Sequence, residues 1–112
     1  MSKLHDPDAV SNLKGLIGDE KFSIILSSSR ASLESIVTEL KNAYQEQDHE
    51  TMRRAVHSIK SSVGNYGAIK VSQKAEELEL RYKDNLLDQA ETEIPEIEAM
   101  VQQVLAELDE YL

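Results

Sequence analysis

His57 and Lys60 stand three residues apart in the run Ala55-Val56-His57-Ser58-Ile59-Lys60-Ser61-Ser62-Val63-Gly64-Asn65-Tyr66-Gly67-Ala68. On a helix that spacing brings an imidazole and a cation within one turn of each other. Neutral imidazole is nucleophilic near pH 7 because its ordinary pKa is about 6.5. An ammonium group can neutralise the oxygens of a transferred phosphoryl group as a point charge. Phosphoryl transfer depends on positioning and charge stabilisation, with little covalent work left for the protein. The pair therefore points to a group that accepts and gives up phosphate.

A helical wheel orders the neighbours. With His57 at zero and about 100° per residue, Met52, Val56, Ile59, Val63 and Tyr66 fall between about 180° and 260°, a core-facing arc. Arg53, Arg54, Lys60, Ser61 and Gly64 lie within about 60° of His57 on either side. The imidazole thus points away from the core among small and basic residues. Glycine inside a helix costs about 1 kcal/mol relative to alanine, so Gly64 on the solvent side needs a reason other than packing. With Ser58 and Ser61 it lets another protein approach the imidazole closely. Arg53, Arg54 and Lys60 form a basic patch in an acidic chain, suited to phosphate and to an acidic partner pocket.

The elements that must carry this face follow from helix punctuation. Asp6 and Pro7 read as an N-cap and first helical residue, and Gly15 or Gly18 ends that short helix. Asp19 opens a long helix to about Gln47, with Phe22, Ile25, Leu26, Leu33, Ile36, Val37, Leu40 and Tyr44 at helical spacing. Within it, Ser27-Ser28-Ser29 marks a bend or a close contact with a neighbour. Asp48 caps the next helix, which carries the His57 face and stops at Gly67. A fourth runs from near Ile69 to Asn85 on Val71, Ala75, Leu78 and Tyr82. The last reaches the C-terminus on Ile97, Met100, Val101, Val104, Leu105 and Leu108, with Pro95 in its first turn or just inside it. The expected fold is all-α: an antiparallel up-down four-helix bundle with a short additional N-terminal helix as a lid over one end, residues 1–112 forming a single domain.

Composition excludes several functions. The 112 residues hold 21 acidic against 12 basic side chains, a formal charge of −9, which disfavours nucleic acid and anionic membranes as partners. There is no cysteine, hence no disulfide or thiolate metal site. No apolar run nears the roughly 20 residues of a membrane span, and the start, Met1-Ser2-Lys3-Leu4-His5-Asp6, lacks a signal-peptide core. A cytoplasmic protein follows by elimination. His5 and His49 are expected at the surface, and Glu107, Asp109 and Glu110 on a solvated face. His49 and His57 are about 12 Å apart along a helix axis, too far to share a metal ion. Bundle metal sites use Glu-x-x-His, and Ser2 and Arg54 stand where those glutamates would be. With no Walker-type or kinase glycine-rich loop, the chain is expected to bind no ATP and no cofactor of its own.

The motif resembles the signature of the histidine phosphotransfer (HPt) family, His-x-[Ile/Leu]-Lys-x-Ser with a Gly-Ala pair further on, here His57-Ser58-Ile59-Lys60-Ser61-Ser62 and Gly67-Ala68. Ala75-Glu76-Glu77-Leu78-Glu79 resembles the Ala/Cys-x-x-Leu-Glu segment of that family's next helix. The Lys60-Ser61-Ser62 version, where many members have glycine directly after the lysine, is similar to LuxU-like freestanding relay proteins. The resemblance implies His57 as the phosphoacceptor on its ring Nε2, Lys60 as the phosphate-stabilising cation and Gly64 as the small residue beneath a docked partner. It implies a phosphocarrier of a His-Asp phosphorelay, exchanging phosphate with receiver domains of a hybrid sensor histidine kinase and a response regulator, with Mg2+ supplied by the receiver. The docking surface is expected to use Arg53, Arg54, Ser58, Ser61 and Gly64, with Leu13, Leu16 and Ile17 of the lid as candidate apolar contacts. A monomer is favoured because the active face must remain free. Some members carry glutamine near Glu79, where it helps orient the histidine; Glu79 could instead repel phosphate or face solvent. The alternative function is a non-phosphorylated helical adaptor that binds receiver domains, against which the presence of both His57 and Lys60 argues.

Overall fold

Helix caps in the computed structural model, which describes residues 3–112, lie close to where the punctuation places them. Met1 and Ser2, part of the stretch read as lacking a signal segment, lie outside the described residues. Helix α1 spans Pro7–Ile17, with the Asp6 carboxylate accepting from the Asp8 N–H at 3.0 Å and Gly18 closing it. Helix α2 spans Asp19–Gln45. It runs unbroken through Ser27-Ser28-Ser29, so the run marks a contact: the Ser29 and Tyr66 hydroxyls lie 2.7 Å apart. Helix α3 spans His49–Gly64, capped by Asp48, whose carboxylate accepts from the Thr51 N–H at 3.1 Å. Helices α4, Ile69–Lys83, and α5, Ala90–Asp109, complete the chain. Pro95 lies inside α5 beyond its first turn, so the Glu91 carbonyl loses its regular helical partner.

Helix α3 ends three residues earlier than expected. Tyr66 is fully buried, and the chain reverses around it through Gly67, which takes a left-handed φ of 66°. A Cβ on Gly67 would stand 2.6 Å from the Asp6 Cβ, so glycine serves here both as a turn and as the floor for the start of α1. Gly64 is therefore the last helical residue, and the mid-helix penalty inferred for it does not apply in full.

Helix α3 packs between α2 and α4, and α5 closes the set against the same two helices, with α1 resting on α2. Arg30 pairs with Asp109 and Lys41 with Glu98, so α2 and α5 run in opposite directions. Phe22, Leu40, Met52, Ile59, Leu78 and Leu108 are among the side chains sealed in the common core. Ile25 departs from the expected core set and is exposed at 40%; it falls off the stripe shared by Phe22, Leu26 and Leu33 by about a quarter turn.

Two polar predictions fail together. His5 is buried at 3% and Glu107 at 9%, although both were expected in solvent. The His5 ring Nδ1 lies 2.6 Å from Glu107 Oε1 and its Nε2 lies 2.7 Å from the Tyr111 hydroxyl. The carboxylate also accepts from the Leu4 and His5 backbone N–H groups and from Gln103. Each buried polar group thus finds partners that repay its lost hydration. Asp109 and Glu110 remain exposed, as expected.

Candidate functional site

The wheel of α3 is realised in three dimensions. Val56, Ile59 and Val63 are fully buried, which turns the opposite face, with His57, Ser61 and Gly64, to solvent. The His57 side chain is 53% accessible. Its Nδ1 lies 2.9 Å from Glu79 Oε2, contributed by α4. Because an ionised carboxylate can only accept, Nδ1 carries the proton and donates it, which in the neutral ring leaves the lone pair on Nε2. Among the described residues no hydrogen-bond partner meets Nε2.

Glu79 gathers the rest of the site. Lys60 Nζ donates to Glu79 Oε1 at 3.3 Å, and an Arg53 guanidinium nitrogen stands 3.7 Å from Glu79 Oε2. Arg53 is also tied to Glu50 on its own helix. Partial burial pushes the Glu79 carboxyl up, but the Lys60 hydrogen bond and the charge attraction of His57 and Lys60 outweigh it, and the pKa falls below the ordinary glutamate value. The carboxylate is therefore charged throughout the neutral range. Arg54 lies on the other side of His57 and donates to Thr51 Oγ1 at 3.2 Å. The Ser58 hydroxyl donates back to the Arg54 carbonyl at 3.1 Å. Ser61 and Gly64 are open, and a Cβ added to Gly64 would meet nothing within 4 Å.

The site is a surface, not a cavity. A groove of about 360 Å³ lies instead between α2 and α5, over Leu33, Val37, Val101 and Leu105, and includes none of these residues. An exposed nucleophile with one ring nitrogen fixed and a cation beside it suits a reaction in which the partner brings the enclosing pocket. Among the described residues, no group of three or more His, Asp or Glu side chains could hold a metal ion.

The Hpt domain family model matches residues 24–107, most of the chain. The chain belongs to the Hpt domain family. It is accordingly a histidine phosphotransfer domain of a phosphorelay, and domains of this family carry phosphate without acting as kinases. The crystal structure of histidine-containing phosphotransfer protein B (HptB) from Pseudomonas aeruginosa PAO1 is similar over 98% of this chain and 95% of that one, with a TM-score of 0.88 and 23% identity. At that identity the likeness is one of fold. No curated protein matches the chain significantly.

Within this Hpt domain, His57, Lys60 and Arg53 meet around one carboxylate, whereas Arg54 and Ser58 bond to their own helix. Of the lid residues, Leu16 is 84% exposed, while Leu13 and Ile17 lean on the core. Glu79 is the residue whose part the sequence left open. The Ala75-Glu76-Glu77-Leu78-Glu79 segment located it, but its direction depends on how α4 is rotated against α3. With Leu78 and Tyr82 buried, Glu79 is carried round toward α3 by about 100°. No helix of the described residues is long and apolar enough to cross a membrane.

Proposed function

We propose that His57 accepts a phosphoryl group on Nε2 from the aspartyl phosphate of a receiver domain and passes it to the aspartate of a second receiver. The Nε2 lone pair forms the N–P bond as the P–O bond to the aspartate breaks, and the carboxylate leaves with the bonding electrons. Onward transfer is the reverse step on a different carboxylate. The Nδ1 proton stays on the hydrogen bond to Glu79 throughout. Lys60, with Arg53 and Arg54 nearby, offsets the phosphoryl charge, while Ser58, Ser61 and Gly64 leave room for the docked partner. The chain brings no cofactor, and Mg2+ belongs to the receiver's acidic pocket.

The observation that carries this reading is the half-exposed imidazole with Nδ1 held at 2.9 Å by Glu79 and Lys60 on the same carboxylate. The partners are receiver domains; in the fuller reading they belong to a hybrid sensor histidine kinase and a response regulator, met in the cytoplasm by a monomer. We read the chain as one domain whose four long helices form an up-down bundle with the relay histidine on its outer face.

The test is phosphotransfer from a phosphorylated receiver domain in Mg2+, comparing the chain with His57→Gln. Acid-labile, base-stable label that appears with His57 and vanishes in the variant supports the carrier. No label across a panel of receivers, with the helical fold verified by circular dichroism, supports an adaptor instead.

A further inference from the structure

Glu79 carries a charge that orientation of the ring does not require. Its Oε2 accepts from His57 Nδ1 at 2.9 Å and its Oε1 from Lys60 at 3.3 Å. A neutral amide of the same shape would also accept the Nδ1–H, though more weakly, so the full negative charge is more than orienting the ring requires. Arg53 is already engaged by Glu50 and stands further off, at 3.7 Å. Lys60 is therefore the cation that a phosphoryl group on Nε2 and the Glu79 carboxylate would both draw on. Phosphate on Nε2 and the carboxylate on the Nδ1 side are like charges held across the width of one ring, inside a Debye length and at a half-exposed site where screening is incomplete.

We propose that Glu79 is a charge counterweight: by competing with the phosphoryl dianion for Lys60, it keeps phospho-His57 sparsely occupied and biases the phosphoryl group toward the receiver aspartate. The inference rests on the phosphocarrier reading above. In the step it favours, the Nε2–P bond breaks, Nε2 recovers its electron pair, and a P–O bond forms on the aspartate. Glu79 touches neither the phosphorus nor the attacking oxygen, so it is a positioning residue that acts through Lys60 and the ring. It would make the domain a conduit, discharging readily, in place of a store.

The experiment uses the full chain and one receiver domain phosphorylated by a small-molecule acyl phosphate in Mg2+, at pH 8, where an ordinary imidazole is neutral. The equilibrium ratio of phospho-His57 to phospho-aspartate is read for the wild type, Glu79→Gln, Lys60→Gln and the double variant, at low and high salt. Glu79→Gln keeps the acceptor for Nδ1–H and removes the charge. It is expected to raise the ratio about tenfold at low salt, by less at high salt, and by much less when Lys60 is already absent. An unchanged or lowered ratio in Glu79→Gln, with His57 labelled normally, overturns the counterweight and leaves Glu79 as an orienting group. Absence of label on wild-type His57 with every folded receiver tried overturns the phosphocarrier reading itself, and the inference with it.

Discussion

His5 Nδ1 and Glu107 Oε1 lie 2.6 Å apart although 102 residues separate them in sequence. This contact fastens the segment before α1 to the end of α5, and the Tyr111 hydroxyl on the far side of the ring completes it. Close by, Asp6 N–H donates to the Tyr66 carbonyl at 3.0 Å. The end of the molecule beyond the His57 face is thus held by a few buried polar bonds as well as by apolar packing.

The first prediction concerns acid. Burial pushes the Glu107 carboxyl up, but hydrogen bonds from the His5 ring and backbone, Gln103 and Leu4 outweigh it and hold the pKa at about 2. A depressed carboxylate stabilises the fold fully above its unfolded pKa near 4.3 and loses that contribution as pH falls toward 2. The shift corresponds to roughly 3 kcal/mol. Urea unfolding of the wild type and Glu107→Gln should show the gap at pH 7 and its narrowing at pH 3. A gap independent of pH would assign the stabilisation to something other than the ionised carboxylate.

Gly67→Ala should be destabilising by about 1–3 kcal/mol. The residue sits at φ 66°, and the added methyl would press on the Cβ atoms of Asp6 and Ala9 at 2.6 and 3.1 Å. Thermal unfolding measures the loss, and hydrogen exchange should show α1 loosened before α3 or α4. Wild-type stability would mean that the start of α1 yields without penalty.

Gly64→Gln behaves differently. Nothing lies within 4 Å of its added Cβ, and the position closes α3, so stability should change by no more than about 0.5 kcal/mol. Transfer from a phosphorylated receiver should nevertheless slow about tenfold or more, because the longer side chain occupies the approach to the imidazole. Stopped-flow or quench-flow transfer rates decide it, and a normal rate would remove the argument from steric access.

Lys60→Ala should leave the helices intact and slow transfer by about 10- to 100-fold, the effect of losing one charge-assisted contact to the phosphoryl group. Circular dichroism and single-turnover transfer, measured on the same preparation, separate the two. Equal rates with and without the ammonium would shift the charge-stabilising role to Arg53 or to the partner.

Much of the architecture was legible because it is encoded locally. Asp6, Asp48 and Gly18 act on the few residues beside them, and the apolar stripe of α3 is a property of one helix. Errors arose where a residue's setting depends on another part of the chain. Ile25 continues the spacing of a core residue yet lies at the edge of the packed stripe. The end of α3 was set by the burial of Tyr66 and the turn at Gly67. Neither event has a local signal strong enough to distinguish Gly64 from Gly67 as the stop.

By itself the sequence determined five helices, the outward setting of His57 and the company of Lys60 one turn away, since helical periodicity converts spacing directly into direction. The tertiary structure alone decided that Glu79 reaches His57 and Lys60, and that His5 and Glu107 leave solvent together. Those outcomes depend on the rotation of one helix against another and on which chain ends meet. A charged side chain carries no mark of whether it will be solvated or paired until packing supplies, or withholds, its partner.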